Sequence, residues 1–528
     1  MKALPLVPLS RLIKSLQLDT YHKDEDILIS GVVSDSRKVK PGYLFVALSG
    51  QVTDGHCYIP DAIQKGAKAV VGTQPLEGIA VPYFRVDDGR RALALLSAAF
   101  YDFPARKMTV IGVTGTDGKT TTSTMIYHIL RAAGIPAGMI TTVNALIGER
   151  TIDTGFHVTT PEAPDVQQYL AQMLTEGLSH VVIEVTSHGI SQHRVTGCEF
   201  DVAVITNITH EHLDYHGTFE AYRDAKAQLF KDLEQTVRKP FYNASLPVGI
   251  LNADDASFNY LSSVTSVRQV AYGTKPQANV RPEHIHMHKE GLNFEAVGEG
   301  YRIPVNCRLI GEHNVANCLA AITATVEGLG IDPEIAGEGI RAIKDIPGRM
   351  EKIEMGQEFT AIVDFAHTPN ALRCSLQAAR RLATGRVIAL LGSAGLRDRA
   401  KRRMMAEVSV QQADFTILTA EDPRIESLDK ILEEMTEGAV AAGGVEGRSF
   451  WRVPDRGEAI RFALSLAKPG DVVIACGKGH EQSMCFGEVE YAWDDRVAMR
   501  AALAELLDIP GPTMPYLPTQ GWQVNGHE

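Results

Sequence analysis

The sequence predicts an α/β protein of three domains, on two observations. Apolar, β-branched runs of four to six residues recur along most of the chain, separated by helix-length segments. That is the pattern of parallel sheets covered on both faces. At 528 residues the chain is also too long for a single hydrophobic core. Its 45% hydrophobic and 22% charged content is that of a globular protein.

Residues 1–98 carry their own strand and helix signals and end in a helical stretch, Arg90–Ala99, ahead of a break at Pro104. They read as an N-terminal α/β domain. Residues 99–344 read as a central domain with a mostly parallel sheet. It holds the runs Met108–Val113, Val181–Val185 and Val202–Thr206 and closes near the turn-like Ile346-Pro-Gly-Arg349. Residues 345–528 carry Ala361–Asp364, Val387–Leu391, Phe415–Leu418 and Val472–Ala475, a Rossmann-like alternation. From Pro515 onward the chain reads as a loosely held tail.

The net charge of −12 argues against a polyanion-binding surface, so no nucleic-acid partner is expected. An anionic substrate would need a local basic site. Seven scattered cysteines without a C-x-x-C pair fit a reduced cytoplasm. No run approaches 18 apolar residues, and the N-terminus lacks an apolar signal core. The expectation is a cytoplasmic monomer without membrane insertion.

The strand from Met108 leads into Thr114-Gly-Thr-Asp-Gly118 and then into an amphipathic helix starting at Lys119. Strand, glycine loop, Lys-Thr and helix make a phosphate cradle. Gly115, Thr116, Asp117, Gly118, Lys119, Thr120 and Thr121 are its residues. The glycines let amides turn inward, the helix N-terminus adds partial positive charge, and Lys119 reaches the β/γ-phosphates of a nucleotide. Thr120 offers a hydroxyl to Mg²⁺. The general pattern wants glycine where this chain has Val113, so the loop is a variant.

Glu184 ends a buried-looking strand beside the phosphate loop, where a second Mg²⁺ ligand would sit. Asn207-Ile-Thr-His-Glu-His-Leu-Asp-Tyr-His216 places His210, His212 and His216 within seven residues. By itself this stretch reads as a solvated loop or as a zinc site without cysteine partners. Lys226, on an apolar helix stretch, reads by itself as a surface lysine.

Taken in order, these residues resemble the Mur ligases. The carriers are Thr114-Gly-Thr-Asp-Gly-Lys-Thr-Thr121, Glu184-Val-Thr-Ser-His188, and Glu211-His-Leu-Asp-Tyr-His216 with Lys226. Asp35-Ser-Arg-Lys-Val-Lys-Pro-Gly-Tyr-Leu-Phe-Val-Ala47 and Asp54-Gly-His56 narrow the resemblance to the MurE branch. That branch adds the third residue of the peptidoglycan stem to UDP-MurNAc-L-Ala-D-Glu. The resemblance implies a UDP-substrate-binding N-terminal domain, a central ATP-binding domain and a C-terminal amino-acid-binding domain.

It also implies roles. Lys119, Glu184, His212 and Lys226 form the catalytic set, with Lys226 carbamylated to N6-carboxylysine. Thr120, Glu184, His212 and Lys226 are the implied ligands of two Mg²⁺ ions. Asn317, Arg349, Asp364 and His367 join the phosphate loop at ATP, with Asn144 near the triphosphate. Ser36, Thr159, Thr160, Ser187, Gln192 and Arg194 are implied at the UDP-sugar peptide. Rival readings are a folylpolyglutamate synthetase, which lacks a comparable N-terminal domain, an inactive binding relative, and a zinc hydrolase.

Arg397, Asp422, Pro423, Arg424, Gly477 and Glu481 are implied at the incoming amino acid. Here the chain departs from the family pattern. Glu421-Asp-Pro-Arg424 stands where diaminopimelate-adding members carry Asp-Asn-Pro-Arg, and Arg403 stands where proline is usual. Arg424 suits the distal carboxylate of meso-diaminopimelate. Asp422 instead suits the distal ammonium of L-lysine or L-ornithine. The expectation leans to diaminopimelate.

Overall fold

The computed structural model describes residues 5–18, 26–50, 53–142, 144–153, 160–209, 211–239 and 246–519. Near the N-terminus β1 (Gly31–Val33), β2 (Tyr43–Val46), β3 (Ala69–Gly72) and β4 (Tyr83–Arg85) pair in that order, all parallel. Helix α1 (Gly89–Phe100) starts where the Asp88 side chain accepts from the amides of Arg90 and Arg91, an N-cap. It buries Leu93, Leu96 and Phe100 in a cluster with Leu44 and Val71 of the sheet.

The central sheet has eight strands. In chain order they are β5 (Thr109–Thr114), β6 (Ala137–Ile140), β7 (Asn144–Ile147), β8 (Arg150–Asp153), β9 (His180–Glu184), β10 (Val202–Ile205), β11 (Val248–Asn252) and β12 (Arg268–Tyr272). Side by side they run β8-β7-β6-β9-β5-β10-β11-β12. The run from β6 to β12 is parallel, and β7 and β8 add an antiparallel edge. All six residues of β5 are buried, as its inner position requires. Helix α2 (Lys119–Ala132) leaves β5 and packs Met125, Ile126 and Ile129 on one face. On the other lie α3 (Ala163–Thr175), α4 (Ser187–Ser191) and α5 (Phe219–Lys231), with Leu170, Ile190 and Phe230 in the core.

A three-stranded antiparallel sheet follows: β13 (Arg281–His288), β14 (Gly291–Gly298) and β15 (Tyr301–Cys307). It is not among the runs predicted from sequence. Its signal is a two-residue alternation, which puts Leu292, Phe294 and Ala296, and Ile303, Val305 and Cys307, into the core. Helices α6 (His313–Ile322) and α7 (Pro333–Arg341) complete this part.

The third large sheet holds β16 (Glu351–Ile353), β17 (Thr360–Asp364), β18 (Val387–Leu391), β19 (Phe415–Leu418), β20 (Phe450–Arg452) and β21 (Val472–Cys476). Their spatial order is β16-β17-β21-β18-β19-β20, parallel except at β16. Helix α8 (Pro369–Leu382) joins β17 to β18, and α9 (Arg399–Gln412) joins β18 to β19. Each of the three large sheets carries an apolar cluster on either face.

All seven predicted runs coincide with strands to within one residue at either end. The tail is a correction: Leu517 is buried against Trp493 and Met499, and Thr519 Oγ1 donates to Asp455 at 2.7 Å. The chain is therefore anchored as far as Thr519, and residues 520–528 lie outside the described part.

Candidate active site

The three large sheets meet around one cavity of about 1070 Å³. Ser49 and Arg90 wall it on the N-terminal side, the phosphate loop on the central side, and Arg349, Ala394, Arg424 and Gly477 on the third. The carboxyl ends of β17, β18, β19 and β21 open onto it, the usual ligand position in open α/β sheets.

The loop after β5 is held by the neighbouring strand end. Thr206 Oγ1 donates to the Asp117 carbonyl at 2.6 Å, and the Asp117 amide donates to Asn207 Oδ1 at 3.0 Å. Both loop glycines are demanded by space and by φ. A Cβ on Gly115 (φ +149°) would lie 1.8 Å from Thr206 Oγ1, and one on Gly118 (φ +81°) 2.4 Å from Asn317 Oδ1. Val113, where the general pattern has glycine, is a buried strand residue paired with Glu184 and Val204. Helix α2 begins at Lys119, so its positive end faces the loop. Lys119 Nζ donates to the Thr116 carbonyl at 2.8 Å, and Thr121 also lines the cavity.

Glu184 ends β9 with 2% exposure. Its Oε2 accepts from Thr120 Oγ1 at 2.9 Å and from the Thr142 amide at 3.3 Å. Arg349 Nη2 donates to the same Thr120 hydroxyl at 3.0 Å. Lys226, on α5, is 1% exposed rather than on the surface. Its Nζ donates to the Gly115 carbonyl at 2.7 Å and lies 4.6 Å from the Tyr222 ring centroid. It makes no ion pair among the described residues, and burial drives its pKa well down. His212 adopts φ +55° and packs edge-on to His188 at 4.7 Å. Burial pushes its pKa far down too, so the imidazole is neutral, as a metal ligand must be.

Among the described residues of the histidine stretch, Glu211 is buried and Tyr215 exposed, and none joins a group of side chains close enough to share a metal ion. Among the described residues the one group of His, Cys and carboxylate side chains close enough to share a metal is Glu283, His284 and Glu295. That group is on β13 and β14, and Arg302 already bridges both its carboxylates. His210 lies outside the described residues. The oxygens of Glu184 and Thr120, with the neutral His212 and Lys226 on the same cavity, fit the hard-donor preference of Mg²⁺.

On the nucleotide side, Asn317 Nδ2 donates to Asn314 Oδ1 at 3.0 Å, which turns its Oδ1 to the loop. Arg349 stacks on Phe365 at 4.2 Å, and His367 packs against the same ring at 4.5 Å. Asp364 accepts from the amides of Met350 and Ala366 and from Ser375 Oγ. All four implied nucleotide residues, Asn317, Arg349, Asp364 and His367, line the cavity. Thr368 and Asn370, at the start of α8, donate to the Asp117 carboxylate at 3.3 and 3.1 Å.

Ser187, Gln192 and Arg194 line the N-terminal side of the cavity. Arg194 donates to Gln192 Oε1 at 2.8 Å and to the Thr160 carbonyl at 2.6 Å. Thr160 stands behind this wall, with its hydroxyl toward Thr186. Ser36, Asn144 and Pro423 are not on the wall, and Thr159 lies outside the described residues.

At the amino-acid end, Arg397, Asp422, Arg424, Gly477 and Glu481 line the cavity. Asp422, whose charge would suit an ammonium, already has a cation beside it. Both its oxygens lie 3.1 Å from Lys478 Nζ, and Oδ1 accepts the Cys485 amide at 2.9 Å. Lys478 is fully buried and also holds Glu481 at 2.5 Å. Arg424, by contrast, makes no side-chain hydrogen bond or ion pair among the described residues. Arg403 points away and pairs with Glu407. Positive φ at His212, Met350, Leu396, Asp422 and Arg424 concentrates backbone strain on and beside the cavity. Sequence reasoning missed Lys401, which reaches Glu211 at 3.2 Å between the central and third sheets, and Lys478, which holds Asp422 and Glu481. Both looked like ordinary charged residues, and only pairing across the fold marks them.

Residues 28–101 match the Mur ligase family catalytic domain, 113–325 the Mur ligase middle domain, and 348–479 the Mur ligase glutamate ligase domain. A UDP-N-acetylmuramyl-tripeptide synthetase of Roseiflexus sp. (strain RS-1) is 44% identical over 490 residues, 90% of this chain and 95% of that one. A UDP-N-acetylmuramoyl-L-alanyl-D-glutamate–2,6-diaminopimelate ligase of Geobacillus thermodenitrificans (strain NG80-2) is 40% identical over 92% of this chain and 96% of its own. A solved structure of a ligase of that name superposes with a TM-score of 0.65 at 28% identity, over 95% of this chain and all of that one. The chain belongs to the Mur ligase family, in its tripeptide synthetase branch.

Proposed function

We propose that the chain is an ATP-dependent ligase that joins meso-2,6-diaminopimelate to the D-glutamate γ-carboxylate of UDP-N-acetylmuramoyl-L-alanyl-D-glutamate, in peptidoglycan synthesis. Domain cuts near residues 98 and 344, a monomer and a cytoplasmic setting belong to the same reading.

A carboxylate is a poor electrophile, so it must be activated before it accepts an amine. In this reading the γ-carboxylate attacks the γ-phosphorus of ATP, releasing ADP and forming an acyl phosphate. The amine of the incoming amino acid attacks the acyl carbon, the C–O bond to phosphate breaks, and phosphate leaves. Lys119, the amides of the loop and Arg349 offset negative charge on the oxygens in transfer. Ser187, Gln192 and Arg194 orient the first substrate, and burial by three domains excludes water.

Mg²⁺, held by Thr120, Glu184, His212 and the modified Lys226, would supply further positive charge there. The setting of Lys226 supports its carbamylation. A buried ammonium with a carbonyl as its partner is costly, whereas a neutral buried amine can add CO₂ and become an anionic oxygen ligand.

One observation carries the choice of amino acid. Asp422 already pairs with Lys478, which Glu481 shares, while the Arg424 guanidinium makes no hydrogen bond or ion pair among the described residues. A free guanidinium suits the distal carboxylate that diaminopimelate has and lysine or ornithine lacks. The acyl-phosphate route is tested with ¹⁸O in the D-glutamate γ-carboxylate. One labelled oxygen per released phosphate is expected, and unlabelled phosphate would refute the route.

A further inference from the structure

Helix α9 opens against the usual charge preference. Its first five residues, Arg399-Ala-Lys-Arg-Arg403, hold four cations at the end where the helix dipole favours anions. Three of them are offset by carboxylates between residues 407 and 434: Arg399 pairs with Glu434, Arg402 with Glu426 and Glu434, and Arg403 with Glu407. Lys401 is not. Its one partner among the described residues is Glu211, beyond the end of β10, at 3.2 Å. Charges set against a local rule are expected at functional positions.

Lys401 lines the cavity, and its place there is central. The Glu211 that it touches precedes His212, and its own helix follows the loop that carries Arg397. Its charge acts on His212, on His367 at the nucleotide side and on Glu421 near the amino-acid end. Lys119 and Arg349, the other cations of the cavity's phosphate side, are turned onto the Thr116 carbonyl and the Thr120 hydroxyl. The hold on Glu211 is light: a single contact, with Oε2 of that carboxylate buried and unpartnered. An anion forming on this wall therefore draws the ammonium over without breaking a network.

We infer that Lys401 is a catalytic residue for the second half of the reaction, holding the oxyanion that forms when the amine attacks the acyl carbon. This rests on the proposed ligase activity. The neutral amine bonds to the acyl carbon, and the carbonyl pair shifts onto oxygen, where the Lys401 ammonium donates to it. The pair then returns, the C–O bond to phosphate breaks, and phosphate leaves with that electron pair and the proton of the amine. A cation placed in advance where charge develops lowers the barrier to this step. Lys119 and Arg349 serve the phosphoryl transfer that precedes it.

The test separates the two half-reactions in wild type, Lys401→Met and Lys401→Arg. With ATP and the UDP-linked substrate but no amino acid, the acyl phosphate is trapped by borohydride in a single turnover. Lys401→Met should form it at the wild-type rate. With diaminopimelate added, kcat for Lys401→Met should fall about a hundredfold, the scale of losing one oxyanion partner. KM for each substrate should hold, the signature of an interaction made only in the transition state, and Lys401→Arg should recover most of the loss. If the circular-dichroism melt of Lys401→Met departs from wild type, Lys401→Gln carries the same expectations. A kcat within about threefold of wild type, or acyl phosphate formation that falls as far as kcat, would overturn the inference. Wild type that yields no acyl phosphate counts against the ligase reading; wild type that does, beside a normal Lys401→Met, counts against Lys401 alone.

Discussion

Arg349 Nη2 donates to Thr120 Oγ1 at 3.0 Å, tying the joint before β16 to the first turn of α2. The same hydroxyl donates to Glu184, so one threonine connects the phosphate loop, the β9 carboxylate and the third domain. Asp117 with Asn370 and Glu211 with Lys401 add two more links between the central and third sheets. Ends of different domains therefore share one charge network around the cavity.

If that network assembles the nucleotide site, Asn370→Ala should raise KM for ATP about fivefold, the loss of one ordinary hydrogen bond. KM for the amino acid should hold. Steady-state kinetics with ATP varied measure it, and an unchanged KM would count against an assembled site.

Lys119→Met removes the one lysine that starts α2 and turns onto the loop. ADP release should fall by about a thousandfold, the scale of losing a preorganised electrostatic partner of the transition state. The circular-dichroism melt should stay near that of wild type. A loss of tenfold or less would remove Lys119 from the charge-offsetting role.

Lys239 and Asp201 form an ion pair at 2.5 Å with both side chains fully buried. Asp201 also accepts the Val110 amide of β5 at 2.7 Å, and Lys239 donates to the carbonyls of Met108 and Glu199. Lys239→Met would take the ammonium away from the buried Asp201 carboxylate, at a cost of about 3–5 kcal/mol. Denaturant unfolding measures this, and a change below about 1 kcal/mol would show that the carboxyl protonates or finds water.

Much of this was legible in the sequence. The strands of the two larger sheets are apolar on both faces, so runs such as Val387–Leu391 and Val472–Cys476 announce themselves. The phosphate loop does too, because glycine, lysine and threonine sit between a strand and a helix. The half-buried β14 and β15 have a weaker signal, a plain alternation broken by Pro304. Lys226 defeated a local reading, since only the approach of the Gly115 carbonyl, 111 residues away, shows that it is buried. The pairing of Asp422 was hidden for a similar reason, as its partner Lys478 lies 56 residues downstream. Identity of a charged residue is local, whereas whether its charge is free depends on the whole fold.

The central claim is that the open Arg424 guanidinium, and not Asp422, sets the amino acid. The direct measurement is kcat/KM for ADP release with the UDP-linked substrate and each of diaminopimelate, lysine and ornithine, for wild type and Arg424→Ala. Wild type should prefer diaminopimelate by about a hundredfold, and Arg424→Ala should lose most of that preference, as truncating a charge-assisted partner implies. Equal or better turnover of lysine or ornithine by wild type, or an unchanged preference in Arg424→Ala, would contradict it.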